Sequence, residues 1–555
     1  MLPPRSMGNS TASSDFLERW TQGWRPWVLL ILFCLGLYLP GMAAVPALDR
    51  DEARFTQATR QMLETRDFVD IRFQEEARNK KPVGIYWLQA AVVGTFSNPE
   101  STAVWPYRLP SLAGALVAVL GTFGFGAVLV GRRAALLGAG LLACCLSLVV
   151  EAHIAKTDAM LLATVVVAQG ALAAIRFKEN PPARFALFFW IAQAVGILIK
   201  GPITPLLSLL TIGLIFLIER RGAWLKGLRF AWGVPLMLVL VLPWIVAITI
   251  ATSGGFFSEA VGHDMLGKVA GAQEAHGALP GTYLLLLPAS FWPSSLLLVP
   301  AVVLAWRHRQ EREVQFLLGW LLPFWVVMEL VPTKLPHYVL PAYPALALLA
   351  GRALLEAPEI RRRWPGFVLV GVWAILAMGL AGAFIVLPLR FGEGISLGAL
   401  PAVVLLLALG FFALRWRDRL QGMFALGLLA LVTYGAAFQL VLPSLDRIWL
   451  SREAAALVAS YKPPANAPLA SVGYSEPSLV FMTGTRTRFL SANEAALYLT
   501  SARGAVALVS DREDQAFRQA LSSHGFAPRA VGSVSGLNYS NGRRVTLTLY
   551  AGFPA

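Results

Sequence analysis

Apolar runs long enough to cross a bilayer recur along roughly the first 440 residues of this 555-residue chain. That recurrence limits the fold more than any other feature. A backbone inside hydrocarbon must satisfy its own hydrogen bonds, so such runs become membrane-crossing helices. Candidate spans fall at about 27–45, 109–130, 134–150, 159–175, 185–199, 203–218, 230–251, 282–305, 314–331, 338–351, 366–389, 396–414 and 421–442, about 13 in all. Only 14% of the residues are charged, well under the share in a soluble chain. The fold class is a polytopic α-helical membrane protein.

One further apolar segment, PVGIYWLQAAVVGTF from Pro82, has about 15 residues and is too short to cross untilted. The distribution of basic residues decides its status. If it lies on the surface, Arg132, Arg133, Arg176, Lys178, Arg184, the run from Arg220 to Arg229, Arg307, Arg309, Arg312, Arg352 and Arg415 all fall on the cytoplasmic side with Arg5, Arg19 and Arg25. Arg361 to Arg363, Arg417 and Arg419 join them, and the short outer loops keep only Lys156, Lys200, Lys268, Lys334 and Arg390. Counted as a span, the segment inverts that pattern, so an interfacial or re-entrant helix is expected. Asp51, Lys80, Lys81, Asp158, Lys200, His263 and Lys334 then all face outward.

The net charge of +15 is scattered through short loops. It reads as topogenic charge with membrane lipid or phosphate as partner, not as the clustered footprint of a nucleic-acid binder. Cys34, Cys144 and Cys145 lie inside apolar runs, which argues against disulfides and thiolate metal sites. The polar first 26 residues followed by a full span suggest a retained signal anchor. Two domains are expected: residues 1–443 form the membrane domain, whose first outer loop is about 46–107, and residues 444–555 form a soluble α/β domain. In the latter, LASVGY, PSLVFMTG and AVALVSD are alternating apolar stretches, with helical patterns such as EAAALVASY between them. An odd number of spans places that domain outside.

Charged groups at a membrane face are costly to desolvate and are usually retained for function. Asp51 and Glu52 open the helical pattern DEARFTQATRQMLETRD, either as partners of the helix dipole or as catalytic or metal-binding carboxylates. Arg54 is one turn on and could pair with Asp51 or grip an anion. Lys80 and Lys81 in KKPVGIYW either snorkel or face a lipid phosphate, with Tyr86 and Trp87 as interfacial aromatics. HIAKTDAM places Asp158 at a helix start, as a cap or a second functional acid. Lys200 precedes the helix-breaking Gly201-Pro202 pair, and GHDMLGK offers His263 and Asp264, with His276 beyond. PTKLPHYVLPAYPALALL gathers Lys334, His337, Tyr338 and Tyr343 around prolines and suggests a second phosphate site at Lys334.

Taken together, these strings resemble membrane glycosyltransferases of the C-type fold in the protein O-mannosyltransferase superfamily. Within it they resemble the bacterial aminoarabinose transferases that modify lipid A. RDEARFTQ is similar to their PDExRYAE, KKPVGIYW to EKPxxxYW, IKGP to TKG and PTKLPHYVL to KGKLPxYxL, while KTDAM stands at their second acidic loop. YSEPSLVFMTG is similar to the tail domains of the group. The chain departs from the pattern where Lys80 stands for a Glu, and where EAVGHDMLGK stands for WxEHxxRF and keeps only the His.

The resemblance implies an inverting transfer of 4-amino-4-deoxy-L-arabinose from undecaprenyl phosphate to lipid A phosphates, and with it polymyxin resistance. It places the enzyme in the bacterial inner membrane as a monomer, with active site and C-terminal domain facing the periplasm. Asp51 and Asp158 become the catalytic carboxylates. Arg54, Lys81, Tyr86, Lys200, Lys334, Tyr338 and Tyr343 become substrate-binding residues. Glu52 and His263, with Asp51, become candidate ligands of a divalent cation, the one candidate cofactor. Protein Ser/Thr or another glycan is the alternative acceptor, and a lipid-linked-sugar transporter is the reading from another class. A phosphate acceptor is already anionic, so it needs cations more than a strong base. The many outer lysines suit that demand.

Overall fold

The computed structural model describes residues 20–267, 277–356, 364–415, 419–464, 467–527 and 529–552. Arg5, Arg19, Lys268, His276, Arg361 to Arg363 and Arg417 lie outside the described residues, as do the side chains of His263, Asp264 and Arg419.

Among the described residues, nine helices are long and apolar enough to cross a membrane. The longest, Trp105–Cys144, is two arms broken at Gly131, where φ is +76°. A bent pair, Thr282–Ser290 and Ser294–Arg307, turns by 115°. The span expected at 282–305 therefore falls on two helices with a break between them. Shorter apolar helices Arg25–Tyr38 and Ile203–Glu219 account for the remaining expected spans. The segment after Pro82 forms helix Gly84–Phe96, whose 13 residues reach about 20 Å against a hydrocarbon core of about 30 Å. Trp87 on that helix is exposed and donates through Nε1 to the Phe68 carbonyl at 2.8 Å. This is the amphipathic tip expected at a headgroup boundary.

The interior of the membrane part is built from helices Trp105–Cys144, Asp158–Phe177 and Tyr343–Glu356, rich in Ala, Leu and Gly. Small residues let these backbones approach closely. A Cβ at Gly114 would stand 2.7 Å from the backbone of Ala159 and Met160.

Two short strands, β1 (Arg72–Phe73) and β2 (Glu76–Ala77), form a hairpin in the first loop. The C-terminal sheet contains β3 (Ala470–Val472), β4 (Arg488–Phe489), β5 (Val506–Ser510), β6 (Arg529–Asn538) and β7 (Arg543–Ala551) in the order β4-β3-β5-β7-β6. β3 is parallel to both β4 and β5, whereas β7 is antiparallel to both β5 and β6. All five residues of β5 are buried, as expected of a strand covered on both faces. PSLVFMTG, read above with the alternating stretches, is instead helix Pro477–Thr483. Its proline occupies the first turn, where a missing N–H costs nothing.

This helix docks the sheet domain onto helix Asp51–Thr65. Arg60 Nη1 donates to the Phe481 carbonyl at 2.9 Å, and Gln57 Nε2 donates to Thr485 Oγ1 at 2.7 Å. Thr485 Oγ1 in turn donates to Glu64 Oε2 at 2.7 Å. Nearer the helix start, the Asp49 N–H donates to the Tyr539 hydroxyl at 2.6 Å, and Arg50 Nη2 donates to the Ser540 carbonyl. Arg50 has φ +65°, a strained conformation costing about 1–3 kcal/mol for a residue with a Cβ. The sheet domain thus holds the residue that launches the helix.

Candidate active site

Asp51 is the first residue of helix Asp51–Thr65 and is exposed. Its neighbour Glu52 has the opposite environment. The Glu52 and Arg108 side chains are 0% and 1% exposed and meet with Nε–Oε1 and Nη2–Oε2 both at 2.8 Å. Glu52 also accepts the Ala155 N–H at 2.7 Å and the Leu48 N–H at 2.9 Å, while Arg108 Nη1 donates to the carbonyls of Met42 and Val45. The metal role expected for Glu52 is therefore corrected. Its carboxylate is occupied in tying the first loop to the turn before Asp158. Among the described residues no three His, Cys, Asp or Glu side chains gather as a metal site.

That tie brings Asp51 within electrostatic reach of Lys156, a member of a buried ring of charge. Asp158, the first residue of helix Asp158–Phe177, has Oδ1 2.5 Å from Lys200 Nζ at the end of helix Ala183–Lys200. Gly201, at φ +69°, then ends that helix in a conformation costly for other residues. Lys156 Nζ lies 3.0 Å from Glu151 Oε1 and 3.7 Å from Asp158 Oδ2. His337 Nε2 is 3.7 Å from Asp158 Oδ1, and its Nδ1 is 3.6 Å from Glu151 Oε1. Tyr338 lies under Lys200, with Nζ 5.3 Å from the ring centroid, a favourable cation–π distance.

Burial drives the Glu151 carboxyl upward from its ordinary range, against the pull of Lys156. For Lys156, burial alone would lower the pKa, but Glu151 and Asp158 outweigh it and hold the ammonium above its usual range, with a further contribution from Asp51. Buried ion pairs seldom add net stability over apolar packing, because desolvation offsets their attraction. A five-member ring of this kind is therefore a functional signal, more than a stabilising one.

Several expected residues occupy other positions. Lys334 is corrected from phosphate ligand to helix cap: its Nζ donates to the carbonyls of Glu329 and Val331, both at 2.7 Å, and of Met328 at 3.4 Å. These carbonyls end helix Arg312–Leu330, and a cation at that end also opposes the dipole. Tyr343 is corrected to a core residue, its hydroxyl 2.6 Å from Ser290 Oγ and its ring packed on Phe291. Tyr86 is likewise buried, its ring tilted against Phe55 and its hydroxyl accepting from Arg78 Nε at 3.2 Å. Arg54 and Lys81 are half-buried. His263 falls in the helical turn Ser258–Leu266, and its side chain is outside the described residues.

Glu151 and Arg108 were missed by sequence reasoning. Both left a signal, since each is an isolated ionisable residue bordering a long apolar run.

The exposed carboxylate and the buried charge ring sit on a bundle of long apolar helices whose fold is that of solved C-type membrane proteins. Residues 80–246 match the family described as Dolichyl-phosphate-mannose-protein mannosyltransferase. The structure of ArnT from Cupriavidus metallidurans bound to undecaprenyl phosphate superposes with a TM-score of 0.75 at 18% identity, covering 94% of this chain and 97% of that one. The apo oligosaccharyltransferase of Archaeoglobus fulgidus shares the fold more distantly, with a TM-score of 0.52 at 12% identity, covering 93% of this chain and 70% of that one.

Among curated relatives, the undecaprenyl phosphate-alpha-4-amino-4-deoxy-L-arabinose arabinosyl transferase of Pseudomonas paraeruginosa is 29% identical over 360 residues, covering 63% of this chain and 64% of that protein. The second such transferase of Pseudomonas fluorescens Pf-5 is 28% identical over 400 residues, covering 68% of this chain and 66% of that protein. The chain thus spans just under two thirds of the first of these relatives. The resemblance read from the motifs is the one these comparisons return.

Proposed function

We propose that this chain is an integral-membrane glycosyltransferase moving 4-amino-4-deoxy-L-arabinose from undecaprenyl phosphate to a phosphate of lipid A. It works as a single chain, with its site and sheet domain on the periplasmic face of a bacterial inner membrane. The observation that carries this reading is the exposed Asp51 within electrostatic reach of Lys156 in a buried ring of two carboxylates, two lysines and a histidine. The names of the curated relatives support the sugar and the donor.

In this reading Arg54 and Lys81 meet the donor phosphate from the open side, and Lys200, braced by Asp158, meets it from the buried side. Fixed cations at a partly dry site stabilise charge building on a leaving phosphate without reorganisation. The acceptor phosphate oxygen attacks the anomeric carbon as the bond to the donor phosphate breaks, with inversion. An anionic nucleophile needs alignment more than deprotonation, which leaves Asp51 to hold the sugar's ammonium group and fix its orientation.

Mass spectrometry of lipid A from a transferase-deleted Gram-negative host tests this directly. Aminoarabinose should appear with the wild-type chain and be absent with Asp51→Asn at equal expression. Unmodified lipid A with both, given a working donor supply, would redirect the search to protein hydroxyls or other glycans as acceptors.

A further inference from the structure

Glu151 and His337 have no part in the transfer as described so far, yet they complete the charge ring. Glu151 closes helix Leu146–Ala152. Its Oε1 faces Lys156 at 3.0 Å and His337 at 3.6 Å, while its Oε2 is buried with no hydrogen-bond partner among the described residues. His337 lies between the two acids, with Nδ1 also 3.4 Å from Lys156 Nζ. The groups facing this pair are Lys156 and Asp158 from the turn before helix Asp158–Phe177, Lys200 from the end of helix Ala183–Lys200, and the Tyr338 ring. Asp51 acts on the pair through Lys156.

With both carboxylates ionised, both lysines charged and the imidazole neutral, the ring sums to zero. One added proton makes it +1. A buried carboxylate oxygen without a donor is expensive as an anion and far cheaper as part of a neutral acid. An imidazole beside two acids also takes a proton readily. The added proton therefore has two adjacent sites.

We propose that Glu151 and His337 share one exchangeable proton, and that they act as positioning residues behind Asp158 and Lys200 by taking it up as the donor's phosphodiester becomes a phosphate monoester. The inference rests on the glycosyl-transfer reading above. In that step the acceptor oxygen bonds to the anomeric carbon, and the carbon–oxygen bond to the donor phosphate breaks. The electron pair stays on the phosphate, whose charge goes from −1 to −2. The proton comes from the acceptor phosphate when that group is a monoanion, and from solvent otherwise. A ring at +1 holds the new dianion while Lys200 keeps its bond to Asp158.

The test is equilibrium binding of undecaprenyl phosphate to the full-length protein in nanodiscs between about pH 5.5 and about pH 8.5, with Glu151→Gln and His337→Asn beside wild type. Each linked proton adds up to about tenfold in affinity per pH unit of acidification. The second ionisation of the phosphate contributes equally to all three proteins. Wild type should therefore gain affinity relative to both variants as the pH falls, and the variants should take up fewer protons on binding in weak buffer. Variants that keep the wild-type slope overturn the proposal, whatever their absolute affinity. His337→Asn, at the more exposed edge of the ring, carries the test alone if Glu151→Gln fails to insert. Absence of binding by wild type would instead count against the glycosyl-transfer reading.

Discussion

The Glu52 carboxylate accepts four hydrogen bonds, two from Arg108 and two from backbone N–H groups, in a site closed to water. Asp51, one residue earlier, is exposed at the helix start. Adjacent acids thus have separate jobs, and the separation is measurable. Removing one partner of a buried pair costs about 3–5 kcal/mol, because the other charge is left unpaired. Glu52→Gln and Arg108→Met should each lower the thermal midpoint and the yield of inserted protein, with activity falling in step. Asp51→Asn should lose transfer activity with no change in midpoint. A wild-type midpoint for Glu52→Gln would show that the pair is not what anchors the first loop.

At the scale of elements, the helical spans were legible because length and hydropathy suffice for them. The 115° break within 282–307 was not legible, since a bend in a buried apolar segment leaves the hydropathy unchanged. Asp158 and Lys200 could be singled out as charges at helix ends. Their direct pairing was beyond reach, because 42 residues separate them and no local pattern encodes the contact. Lys334 and Tyr343 misled for the same reason: a boundary Lys can cap a helix or bind a phosphate, and only the neighbouring carbonyls decide.

Packing at Gly114 links an element contact to the site. The methyl of Gly114→Ala would press on the backbone of Ala159, next to Asp158, and backbone cannot rotate away. Overpacking of this kind costs about 1–3 kcal/mol. The variant should lose more activity than folded protein, as judged by turnover per inserted molecule. Gly94→Ala, whose new methyl meets open space, should leave both unchanged and serves as the control.

For the whole molecule, the contacts between the first loop and the sheet domain constrain the parity of the crossings between them. Asp49 Oδ1 accepts the Ser478 N–H at 3.2 Å, so the loop after the first span and the C-terminal domain share one face of the membrane. An even number of crossings must separate them. Counting the bent pair Thr282–Ser290 and Ser294–Arg307 as one crossing and helix Gly84–Phe96 as interfacial agrees with that parity. Asp49 lies in this contact beside a cavity of about 10 Å³ lined in part by Pro46, Trp449 and Ser478. Burial pushes its carboxyl up to about 6, with Glu476 adding to the rise and the Ser478 hydrogen bonds opposing it.

A carboxyl whose pKa rises on docking favours the docked state most when protonated. The contribution is complete below the ordinary carboxyl value near 4 and is lost as pH rises through about 6. Docking of the sheet domain should therefore tighten from pH 7.5 towards pH 5, read as slower amide exchange in the Pro477–Thr483 helix and at Tyr539. Asp49→Asn, neutral at every pH, should hold the tighter exchange pattern across that range. Because the same contact braces the strained Arg50 ahead of Asp51, the wild-type protein should lose some of the proposed transfer activity as the clasp loosens, and Asp49→Asn should lose less. An exchange pattern that is equally pH-dependent in both proteins would assign the effect to another group.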